Sequence, residues 1–596
     1  MVAVRFRTKS PPAAPPAPHR PRRPARAVLA AAWLAGAPAG AGCGGEPGAP
    51  AAAEGPIAAG PTPTAISPAP APDDTLIVAV RRLPTGLDPL SELDPWGQRV
   101  ADDLLFEGLV RRRTDAAPWA ESALAERCEP DPAARGFACR LREGAEFHDG
   151  SPVTREDVLY SAEQWLGPRG QALRQRYGLD GLRAAEAIDG PPGGPKDSSG
   201  RWVRLSFEQD DPLALEKLAA IKIVPRARHQ AGGSFAAQPI GSGPLRLLAQ
   251  DDVQLTFERV TPAPGLAKRI ALRAIDDGAA ALTALRRGEV HVLAEVAPVH
   301  VPKELAKPAM ASRFVAYLVS PPRYDLALFN LREGVQAGPR MRQALDLATP
   351  RGELAQQVYG LRGLPAAVPV DLHAPAPIDL VALAEGRDAE AGLGPLAGPP
   401  DANADAAGRA AADAILTELG WIFERGVRRR QTATLRLPLT WDPSPGLATG
   451  VARALRAGWK QIGIQAPSVT ASWGYVVTNL LRAGKFSVAL VRLAGASDHD
   501  LAPWFHSKGA HNLTGLADGI LDAALDAYRL AATRADRDAA KRAIADRLAA
   551  LRPAIVLHAP VAVTLFSRAV TGIAFADDLP RLDRLGFAAA PAEDAR

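Results

Sequence analysis

The chain lacks the short motifs by which many enzymes are recognised. It has no Gly-rich loop ending in Gly-Lys-Ser/Thr to cradle phosphates, no His-Glu-x-x-His pair for zinc and no Gly-x-Ser-x-Gly elbow for a nucleophile. Beyond Cys43 only Cys128 and Cys139 remain, with no paired histidines nearby, so zinc is not expected, nor is a cofactor. No apolar run reaches the roughly 20 residues that a membrane helix needs. The net charge of +5 invites a nucleic-acid reading, but seven basic residues (Arg5, Arg7, Lys9, Arg20, Arg22, Arg23, Arg26) precede Cys43 with no acid among them. Without those seven the balance is −2, and no electrostatic case for nucleic acid remains. His148-Asp149 forms no catalytic dyad: it lies in a Phe-His-Asp-Gly turn where both side chains serve local backbone. The chain reads as a non-enzyme.

What is present begins with an export signal over residues 1–42. The basic stretch leads into a short apolar run, Ala27 to Ala37, the size of a signal-peptide core. It ends in Gly40-Ala41-Gly42-Cys43, which resembles the lipobox whose cysteine becomes the lipidated first residue of a bacterial lipoprotein. Residues 43–73 are rich in Ala, Pro and Gly without periodicity and read as a flexible tether. Cys128 and Cys139 flank a turn-rich segment and can face each other across a hairpin. An oxidising compartment would make them a disulfide; two buried thiols are the alternative.

From Thr75 onward, strand and helix signals alternate over roughly 520 residues, too long for one ordinary core and enough for two lobes of a mixed α/β class. Phe137 to Trp165 reads as a strand, a Gly turn and a helix opened by a near capping box, Thr154 with Asp157. Nine tryptophans follow the leader against seven tyrosines, and Trp96, Trp441, Trp473 and Trp504 fall outside helical core spacing. Flat aromatic faces of this kind suit a cleft that accepts varied side chains. Asp498-His499-Asp500, with His506 and His511, is the densest His/Asp group and reads as a polar loop beside the cleft.

The run LREGAEFHDGSPVTREDV (residues 141–158) resembles a signature of the extracytoplasmic solute-binding proteins of family 5, the oligopeptide/dipeptide-binding proteins of ABC transporters. Leu87-Asp88-Pro89, Leu105-Phe106-Glu107-Gly108-Leu109, Pro239 to Pro244, Ala281 to Val292, Tyr324 to Leu331, Leu416 to Trp421 and Trp459 to Ile464 are similar to further family segments in the family's order. His291 and Thr349-Pro350 depart from it.

The resemblance implies a two-lobe periplasmic binding protein fold (type II, cluster C-like) with an extra subdomain in the first lobe. Lobe I would comprise 74–112, 238–323 and 550–596; the subdomain 113–237; and lobe II 324–549, with 364–408 a disordered surface insert. It implies a monomer that closes on a peptide or similar solute and presents it to permease subunits, tied to a membrane by its lipid, on the periplasmic side of the cell envelope. In peptide-binding relatives a carboxylate after a Gly-Trp strand end meets the ligand amine. Asp498 is the nearest match, with Arg492-Leu493 in place of Gly-Trp. Asp94 and Trp96 would flank the ligand backbone, and Tyr324 and Asn330 would be contacts or hinge packing. Trp441, Trp473 and His499 complete the expected lining. The degraded motifs also fit an orphan envelope sensor lipoprotein that no longer serves transport.

Overall fold

A computed structural model describes residues 75–588 apart from 232–234, 321–322, 360–362, 365–367, 371–374, 389, 394–401, 445, 495–499 and 577–578. The signal, Cys43 and the tether lie outside the described residues.

Leu76-Ile77-Val78-Ala79-Val80 is apolar at every position, as a strand covered on both faces must be. Leu76, Val78 and Val80 enter one core, and Ile77 and Ala79 the other. The strand pairs in parallel with Arg269–Ala274 and Val292–Leu293, at the centre of an eight-stranded mixed sheet that forms the first lobe.

The subdomain is a four-stranded antiparallel sheet of Ala125–Asp131, Gly136–Leu141, Trp202–Phe207 and Leu182–Ile188. Its helix Arg155–Leu166 starts at a full capping box, Thr154 with Asp157, and buries Val158, Ala162 and Trp165. Cys128 and Cys139 sit directly opposite in the hairpin register and are joined as a disulfide.

The second lobe is a six-stranded sheet, in the order Gly363–Leu364, Ala554–Pro560, Arg323–Phe329, Val488–Ala494, Leu439–Trp441, Ser468–Thr470. Side-chain alternation splits it cleanly. Leu326, Leu328, Ala489 and Val491 face the helices Gly519–Leu530 and Arg534–Leu551, while Ala327, Phe329, Val488 and Leu490 face Gly446–Gln461.

The chain crosses between the two lobes four times, between Val319 and Arg323, between Leu364 and Ala376, between Leu393 and the helix Ala402–Glu418, and between Pro560 and Ala562. Ser320 Oγ donates to the Pro560 carbonyl at 3.2 Å. Two expectations change here. Residues 554–560 are a strand of the second sheet, so lobe I resumes only after Pro560. Part of the supposed disordered insert is ordered in lobe I. Ala376–Ile378 adds an edge strand beside Phe314–Val319, and Leu380, Leu383, Ala391 and Leu393 join the core beneath it.

Candidate functional site

In sheets with parallel strands, ligands bind beyond the strands' carboxyl ends, where chain direction leaves a crevice. In the second lobe Leu439–Trp441, Ser468–Thr470 and Val488–Ala494 run parallel, and Ala494 lies opposite Arg323, where the chain enters the lobe. In the first lobe Val80, Ala274 and Leu293 end at the edge where Val319 leaves and Ala562 returns. Both carboxyl-end edges therefore adjoin the same passages, and the cleft between them is the candidate site.

On the second lobe's rim, Asp442 follows the strand end at Trp441. Its carboxylate accepts from Ser444 N and Oγ and from Trp473 N at 2.5–2.8 Å. Those bonds, led by the Ser444 hydroxyl, hold it below the usual carboxylate range. They also fix the turn that presents Trp473 and Tyr475, which are 44% and 54% exposed. Aromatics this open leave much of each ring accessible to stack on a ligand.

Four polar residues form a second group at the same end of the sheet. Arg492 grips Asp325 with Nε and Nη2 at 2.7 and 3.1 Å, and Tyr359 donates its hydroxyl to Asp325 at 3.2 Å. The Tyr359 ring stacks on His558 at 3.8 Å and 5°. Burial pushes His558 down to about 4, so the imidazole is neutral at ordinary pH, and burial with Asp325 nearby pushes the Tyr359 phenol up. Sequence reasoning missed this group. The signal was a charged or polar residue within each of three mostly apolar strands, Asp325 in RYDLALF, Arg492 in VALVRLA and His558 in AIVLHAP; only the register joins them.

Of the expected lining, Trp473 lies open on this rim. Trp441 does not: it is 5% exposed within the lobe's core, because its strand alternation points it inward. Asn330 is fully buried. Its amide donates to the Gly484 and Phe486 carbonyls and its oxygen accepts from Arg332 N, which assigns it to packing. Tyr324 is buried with Leu326 and Leu328 in one core. Asp94 caps the helix Pro95–Val100, accepting from Trp96 N and Gly97 N, and also holds Thr85. Burial pushes its carboxyl up, but those bonds prevail and keep it below the usual range. The Trp96 ring is half-buried against the first lobe's core. Asp498 and His499 lie outside the described residues.

The other polar motifs separate. His148 Nδ1 accepts from Gly241 N and Nε2 donates to the Gly243 carbonyl, at 3.3 and 3.0 Å, pinning the segment Pro239 to Pro244. Glycine is required there: a Cβ on Gly241 would stand 1.8 Å from the Leu105 carbonyl oxygen. Asp500 faces Lys217 and Arg529, His506 faces Asp522 and Asp526, and His511 faces Asp180. Among the described residues no group of three or more His, Cys, Asp or Glu is placed to hold a metal ion.

The sequence model of the bacterial extracellular solute-binding proteins, family 5, matches residues 120–512. Protein XP55 of Streptomyces lividans is 26% identical over 499 residues, covering 80% of this chain and 82% of that protein. The fold is similar to HbpA2 from Haemophilus parasuis, with a TM-score of 0.61 at 17% identity over 86% of this chain and all of that one. It is also similar to MppA, a periplasmic murein tripeptide binding protein in its unliganded open form. There the TM-score is 0.57 at 18% identity, over 87% and 98% of the two chains.

Proposed function

The chain belongs to the bacterial extracellular solute-binding proteins of family 5, and from that premise we propose that it captures short peptides between its two lobes and hands them to a membrane permease. The observation that carries this reading is the open aromatic pair, Trp473 and Tyr475, on a strand-end rim beside the inter-lobe passages. Such faces bind side chains of varied shape through apolar contact rather than one fixed set of hydrogen bonds, which is what a peptide carrier requires. Strand edges near the passages offer main-chain partners to an extended ligand. Asp498 serves the ligand amine in this reading. Cys43 carries the lipid that keeps the protein beside its permease, on the outer side of the membrane.

The test is native mass spectrometry of the gently purified chain, before and after denaturation. A set of extra masses that sequence as short peptides is the expected result. A single discrete non-peptide mass overturns the peptide assignment. No bound mass, together with no thermal shift on adding a peptide pool, overturns capture itself. For the anchor, Cys43→Ser is expected to move the protein from the membrane to the soluble fraction.

A further inference from the structure

Away from the cleft, one seam gathers more buried charge than any other described part of the molecule. It joins the subdomain to the second lobe. Glu216, 2% exposed, accepts from Arg537 Nη2 and Nη1 at 2.7 and 3.2 Å, and the guanidinium carbon lies 3.7 Å from the centre of the Trp119 ring. Asp211 takes Lys217 Nζ from its own side and Arg529 Nη2 from the other, each at 2.6 Å. Asp500, 4% exposed, stands 3.5 Å from both cations. Backbone bonds also cross: Ala117 N–H donates to the Ala532 carbonyl at 2.9 Å, and Arg534 N–H to that of Asp115 at 3.1 Å.

Three features mark this seam as one that parts. Besides the chain crossings, the second lobe meets the subdomain at this seam, where Trp119 and Leu213 also pack into its core, so a hinge opening that separates the two has to break these contacts. Buried ion pairs are a poor permanent glue, because desolvation offsets much of their attraction. Asp500 Oδ2, Arg529 Nε, Arg537 Nε and the Tyr528 hydroxyl are buried without a hydrogen-bond partner in the protein, and each regains bulk water when the seam opens. The third feature is strain. Trp119 sits at φ +62°, where a bulky residue is disfavoured, and is held by its indole bond to the Ala531 carbonyl at 3.1 Å.

We propose that this seam is an ionic clasp, built from Asp211, Glu216 and Lys217 against Asp500, Arg529 and Arg537, which sets the open–closed balance of the empty protein. The clasp concerns the unliganded chain, so it stands or falls separately from the peptide assignment. Hydrogen–deuterium exchange of the full, ligand-free chain tests it, read on peptides covering 113–119 and 530–537 against core strands 136–141 and 323–329. The expected result is that the seam peptides exchange through a separate, lower-energy opening. Arg537→Glu should speed them about a hundredfold and leave the core strands unchanged. Arg529→Gln, a milder change, should speed them about tenfold, with Arg529→Lys recovering most of the protection. If Arg537→Glu also loosens the core strands, Arg529→Gln decides. Seam peptides that exchange only with the core strands, or that ignore Arg529→Gln, overturn the clasp.

Discussion

Asp325 is a carboxylate set inside a mostly apolar strand, and its neighbours show how such a charge is kept. Arg492 supplies a two-point countercharge, Tyr359 a third hydrogen bond, and His558 closes the group as a flat neutral surface under the Tyr359 ring. Burial drives the His558 value from 6.5 to about 4. The unfolded chain therefore takes up a proton below about 6.5 that the folded chain refuses until about 4. Stability is full above that window and falls as pH drops through it, by up to roughly 3 kcal/mol. Thermal melts between pH 7 and 4 should show this loss, and His558→Gln should flatten it; an unchanged slope in the variant rules the group out as the cause. Asn330 allows a second residue-scale test. Asn330→Leu leaves the Gly484 and Phe486 carbonyls without their donor and should cost about 2–3 kcal/mol in chemical denaturation.

Elements show where the sequence was legible and where it was not. The all-apolar run Leu76–Val80, the Thr154 capping box and the Cys128–Cys139 hairpin were readable because their signals are local: continuous burial, a cap at fixed spacing, a short turn. Removing that disulfide as Cys128→Ser with Cys139→Ser should cost about 3 kcal/mol of stability, seen first as lost amide protection in Ala125–Asp131 and Gly136–Leu141. Residues 376–393 were illegible because Ala, Pro, Gly and Asp dominate the surrounding composition. The few large apolar residues that matter, Leu380, Leu383 and Leu393, gain meaning only from the lobe I core waiting for them. Leu383→Asp should undock the short helix Leu380–Ala384 and open Arg387 to trypsin, whereas a freely disordered insert would be cut equally in both proteins. The rim was legible in part for the same reason. Trp473 stands out as an aromatic in a loop, but Trp441 and Asn330 are assigned by strand alternation and by partners more than 100 residues away.

At the scale of the molecule, cleft and clasp act on one hinge, and that makes them answer to each other. A ligand that touches both lobes favours the closed form only by the difference in its affinity for closed and open states. If the clasp favours the same closed form, the two are linked, and the coupling is equal in both directions. Saturating peptide should therefore slow exchange of the Ala117 and Arg534 amides, although neither belongs to the rim. Conversely, Arg537→Glu should weaken peptide binding several-fold with every cleft residue intact, by lowering the closed fraction that binding draws on. The control separates the two surfaces. Trp473→Ala with Tyr475→Ala removes side chains that are 44% and 54% exposed, so it should leave the melting point and the seam exchange of the empty protein unchanged while abolishing the peptide-induced shift. If Arg537→Glu loosens the seam and leaves peptide affinity untouched, the clasp and the cleft belong to different motions. A single hinge would then be the wrong description of how this protein closes.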